Sequence, residues 1–233
     1  MKPGLLAVED RLAGRLAKEF EAHVREASFP CVGAKSALAT GMLEIVVAFD
    51  MRSAWDDLRI HDRLLSWAET YCDEPEGLRS LAVIFSQPSR LDEQEFERLL
   101  WDRLQSFADK DNWLGQSYDP AVSPDPGDPH FSLSFGGQAY FVVGLHPAAS
   151  RPARRFSHPV MVFNLHDQFE KLRKDGRYER MREAILERDR RLAGNTNPML
   201  ARHGESSEAR QYSGRMVSAD WECPFKDPRL DKE

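Results

Sequence analysis

Apolar residues recur every three or four positions through Leu5, Leu12, Leu16, Phe20 and Val24, which predicts an amphipathic helix over 4–27. Pro30 breaks it, and residues 33–40 read as a short second helix. The spacing then changes. Leu43–Phe49 (LEIVVAF) is a run of branched residues and predicts a buried strand; LAVIF at 81–85, stopped by Pro88, predicts another. Between them, residues 54–72 return to helical spacing with Trp55, Leu58, Leu65 and Trp67. Leu91 and Asp92 open a longer helix to about Asn112, with Phe96, Leu99, Leu100, Leu104 and Phe107 on its inner side.

Residues 118–130 (YDPAVSPDPGDPH) carry four prolines and can be neither helix nor central strand. Phe131–Phe135, Gly136-Gly137 and Gln138–Leu145 form a hairpin pattern, and Pro159–Asn164 predicts one more strand. His166 opens a helix through Arg173, and Arg177–Leu192 forms another, closed by Gly194. The tail from Asn195 is polar, with Trp221 and Phe225 available to pin it down. The expected fold is α+β: a mostly antiparallel sheet packed with helices, one domain over 1–233 with an irregular C-terminal tail.

The 233 residues are 41% hydrophobic and 30% charged, enough for one large core. A net charge of -6 gives no electrostatic case for nucleic acid. No apolar run approaches the roughly 20 residues that span a bilayer. Glu9, Asp10 and Arg11 stand where a signal peptide needs apolar residues, so a cytoplasmic protein without a membrane partner is expected. Three scattered cysteines without a CxxC pair suggest neither a disulfide framework nor structural zinc.

No GxGxxG follows a strand, and neither a P-loop nor a GxSxG elbow is present. His61-Asp62 and His166-Asp167 are adjacent pairs whose side chains diverge, unlike a non-haem iron triad. Cys31 lies at a helix start, where the helix dipole should lower its pKa; it is either a thiolate ligand for haem iron or an inert core cysteine. His146 ends a strand and is a ligand, a hydrogen-bond donor or a structural histidine. Arg151, Arg154 and Arg155 lie within five residues and could fork onto two carboxylates, or form a solvated basic loop. Glu208 could accept a guanidinium or pair with Arg210 or Arg215. His158, His166 and His203 have polar neighbours that suggest capping or turn roles.

FPCVGAKSA, GLHPAASRPARRF, VFNLHDQFEKLR, RDRRLAGNTNPML, SEARQYSGR and WECPF together resemble the YqcI/YcgG family from about Phe29 to Phe225. They look especially like its haem-dependent N-hydroxylases of the guanitoxin-biosynthesis type, and the family also resembles the arginine N-hydroxylase of the D-cycloserine pathway. The resemblance implies haem b, dioxygen or peroxide, and hydroxylation of a nitrogen on a small guanidine substrate. It makes Cys31 the first choice of iron ligand and His146 the second, followed by His166, His158, His203 and Cys223. It leaves Arg151, Arg154 and Arg155 for the haem propionates, with His146 and Glu208 as catalytic candidates. Electrons would come from an external donor. A haem-binding or gas-sensing protein without turnover is the alternative.

Overall fold

The computed structural model describes residues 3–199 and 204–230, with side chains from Asp10 onward. The first three elements are α1 (Pro3–Arg25), α2 (Val32–Ala39) and strand β1 (Leu43–Asp50). Next come α3 (Asp57–Asp73), β2 (Ser80–Gln87) and α4 (Glu93–Trp113). The hairpin β3 (Leu133–Phe135) and β4 (Gln138–Leu145) turns on Gly136-Gly137 as its sequence demands. A 3-10 turn (Pro152–Arg154), β5 (Val160–Leu165), α5 (His166–Lys174), α6 (Tyr178–Ala193) and the short α7 (Ala209–Tyr212) complete the order.

Local chemistry sets several ends. Asp92 caps α4 by accepting the Glu95 N–H at 2.8 Å, and Glu93 and Glu95 complement the helix dipole. Gly194 closes α6 at φ +79°, where a Cβ would be strained. Cys31 caps α2, its sulfur accepting the Ala34 N–H at 3.4 Å. One expectation is corrected: α3 begins at Asp57, leaving Trp55 86% and Leu58 61% exposed. Its inner face is Ile60, His61, Leu64, Trp67 and Tyr71.

The five strands lie in the order β1-β2-β5-β4-β3. Three of the four pairings are antiparallel. β1 and β2 are parallel, because α3 crosses over between them. Alternation along the strands gives the sheet two distinct faces. Leu81, Val83, Phe85, Tyr140, Val142, Met161, Phe163 and Leu165 face α3, α4 and the C-terminal segment. Ala82, Ile84, Val143, Leu145, Val160 and Val162 face α1 and α2.

The first face also closes a buried polar network. His61 and Asp111 are fully buried and 2.8 Å apart. Arg229 donates to Asp111 at 2.8 Å and to Asp227 at 2.7 Å, and its guanidinium lies 4.5 Å from the Tyr118 ring centre. This network and the buried Phe225 fix the tail to the body.

The same tail repairs an open sheet edge. β3 pairs only with Gln138–Tyr140, so among the described residues β4 beyond that point has no outer strand. α7 lies there instead, the Tyr212 hydroxyl donating to the Tyr140 carbonyl at 3.2 Å. The approach is so close that a Cβ on Gly144 would lie 2.6 Å from the Phe96 ring and 2.9 Å from the Tyr212 carbonyl oxygen.

Candidate functional site

On the second face of the sheet, α6 rests chiefly on α2, α5 and the 3-10 turn rather than on the strands. The space beneath it is a cavity of about 250 Å³, room for roughly eight waters at about 30 Å³ each. Its floor is Leu43, Phe141, Val143, Leu145 and Val162, and its roof is Met181, Ile185 and Leu186 of α6. Those three roof residues are only half-buried, as expected of an apolar helix face laid over a hollow. α6 is tied down at its far end, where Arg151 grips Asp189 with Nε at 2.9 Å and with Nη2.

A thiol, an imidazole and a carboxylate interrupt this apolar wall. Cys31 enters from the start of α2, His166 from the first turn of α5, and Glu208 from the start of α7. Glu208 accepts the Ser132 hydroxyl at 2.6 Å, and its other oxygen lies 3.8 Å from His166 Nε2. The helix N-terminus does supply an N–H to the Cys31 sulfur, but burial outweighs it and pushes the thiol up. The expected lowering of the Cys31 pKa is therefore wrong in sign, and the side chain rests as a neutral thiol.

A model of the YqcI/YcgG family matches residues 20–226. The chain belongs to the YqcI/YcgG family. The match takes in all five strands and the lining residues of the cavity, from Phe20 to Gln211. No curated protein and no solved structure matches the chain.

In this YqcI/YcgG fold the cavity brings together Cys31, His166, Glu208, Arg151 and Arg154. His146 is not among its lining residues. Its neighbour Leu145 points to the cavity, so strand alternation turns His146 to the opposite face. There its ring stacks on Phe96 at 4.4 Å, 1% exposed, and burial pushes it down to about 4. Those positions leave it a packed, neutral histidine away from the candidate site.

Arg155 is also outside, its guanidinium donating to the carbonyls of Ala149 and Ser150. Arg154 lines the cavity, yet its donors go to the carbonyls of Gly144, Gln211 and Tyr212, at 3.1 to 3.4 Å. Burial pushes it down to about 10. It is a strap joining α7 to the edge of β4, and Arg151 is the latch of α6. The three arginines thus do not form one anion clamp.

Neither Arg210 nor Arg215 pairs with Glu208: Arg210 donates to the carbonyls of Ser218 and Trp221, and Arg215 to Glu97. Ser157 takes His158 into a turn. His203 lies outside the described residues. Sequence reading missed Ser132 and Gln211. The second had a signal, since Glu208 and Gln211 are three apart at the start of a short helix and share one side.

Proposed function

We propose that this YqcI/YcgG chain is a cytoplasmic haem-dependent monooxygenase that hydroxylates a nitrogen of a small guanidine substrate, using an external electron donor. The observation that supports it is the convergence of Cys31, His166 and Glu208 on one apolar cavity. The donor set fits haem. Thiolate and imidazole are both axial ligands of haem iron. Among the described residues no three His, Cys, Asp or Glu side chains gather into a metal site. No helix among those residues is long and apolar enough to cross a membrane.

In this reading Cys31 would hold the iron as a thiolate, its proton lost on binding. The apolar residues of β4, β5 and α6 that line the cavity would cover the ring and keep water out. Arg173, ion-paired with Glu170, and Arg182, both half-buried on the cavity wall, would meet the propionates, since Asp189 and backbone carbonyls hold Arg151 and Arg154. Glu208 accepts the N–H groups of the guanidine, with His166 beside it to carry a proton. Haem, when bound, supplies oxygen activation; the chain supplies the orientation of the nitrogen. His166 as the iron ligand is a second reading, favoured by the upward push on the Cys31 thiol.

The ferrous–CO spectrum tests both. Wild-type protein should bind haem, and Cys31→Ala should abolish or strongly shift the thiolate band. An unchanged band in Cys31→Ala with its loss in His166→Ala moves the ligand to His166. A chain with no Soret absorption after haem addition overturns the function.

A further inference from the structure

Several polar side chains of the cavity wall are satisfied by the protein itself. Ser80 donates to Asn164 at 2.7 Å, and Asn164 donates to the Phe141 carbonyl at 3.3 Å. Gln168 accepts the Arg79 N–H at 2.8 Å and donates to the Arg79 carbonyl at 3.1 Å. Gln211 differs. It lines the cavity, is 5% exposed, and among the described residues its side-chain amide makes no hydrogen bond. Its backbone is engaged on both sides: the N–H donates to the Glu208 backbone carbonyl at 2.9 Å, and the carbonyl accepts from Arg154 at 3.1 Å. The residue is therefore held in place while its amide is left unmet.

A primary amide carries one acceptor oxygen and two N–H donors, and one that lines a cavity without a protein partner presents them to whatever occupies it. Its presence on a cavity wall points to a polar group of the ligand. Glu208, one helical turn earlier, says which kind. A guanidine offers N–H donors in a plane and no acceptor when charged. A carboxylate and an amide oxygen on one helix side give that plane two acceptors.

We propose that Gln211 is a specificity-determining residue whose amide oxygen accepts a second N–H of the guanidine held by Glu208. This assignment rests on the guanidine reading above. The role needs an acceptor only, so Gln211→Glu preserves it and the similarly shaped Gln211→Met removes it.

Calorimetry of the full-length protein with L-arginine and with the cyclic guanidine 2-aminoimidazoline tests the assignment, with haem content and Tm measured alongside. For whichever probe binds better, Gln211→Met should weaken binding about tenfold, the cost of about one hydrogen bond. Gln211→Glu should bind at least as tightly as wild type, with haem content and Tm unmoved in both. Wild-type affinity in Gln211→Met, with binding lost in Glu208→Gln, removes Gln211 from the site but leaves the guanidine reading standing. Gln211→Glu as weak as Gln211→Met shows a donor rather than an acceptor and overturns the proposal. A parallel fall in haem content or Tm makes the residue structural. Wild-type protein that binds neither probe removes the guanidine reading and this one with it.

Discussion

On the face of the sheet under α3 and α4, aromatic rings fill the space between backbone elements, and one buried carboxylate gathers several of the polar groups that enter. Phe107, Phe135, Tyr140 and Phe163 contact one another edge to face or tilted, and Asp111 binds His61, Arg229 and the Gly136 N–H. On the other face, α1 and α2 pack comparably against β1 and β2, but α6 stands off the strands and leaves the cavity. The difference separates two tasks. Burial on the first face supplies stability, so the second can keep a hollow that a fully packed core would close.

Three measurements can break or sharpen that contrast. The largest effect is expected from Asp111→Ala, which leaves His61 and Arg229 without their shared carboxylate; it should cost about 3–5 kcal/mol in urea unfolding. A loss below about 1 kcal/mol would mean that the network is incidental to the first face.

The next concerns pH. His146 titrates near 4 when folded and 6.5 when unfolded, so the unfolded chain binds more protons between those values. Its contribution to stability is complete above pH 6.5 and falls away as pH drops to 4, by up to about 3 kcal/mol. His146→Phe keeps a ring against Phe96 and should flatten that acid limb; an unaltered limb would contradict the buried, neutral assignment. The smallest effect is expected in the roof: Ile185→Ala should lower stability by less than about 1 kcal/mol, because the side chain is only half-buried. A loss comparable to that of a packed core leucine, about 2–5 kcal/mol, would show that α6 is part of the core.

Much of this architecture was legible from pattern. The glycine pair at 136–137, the strand runs at β1 and β2, and the ends of α5 and α6 all follow from local chemistry. The parallel pairing of β1 and β2 needed topology as well as periodicity, since a strand is apolar in either direction. Trp55 and Leu58 misled because composition marks them as core although they precede or begin the first turn of α3. At the site, Cys31 and Glu208 were visible as residue types in promising places. The side taken by His146 was not, because parity along β4 has meaning only once each face is known. Arg151 and Arg154 show a related limit: a cluster in sequence splits into a latch and a strap when its partners, Asp189 and α7, arrive from far along the chain.

The wall supplied by α7 has a consequence for how the protein is made. β5 ends at Leu165, so a growing polypeptide can complete its sheet well before Glu208 and Gln211 leave the ribosome. Until then the chamber lacks one side. Any small molecule that needs those two residues must be acquired late, after translation has passed them.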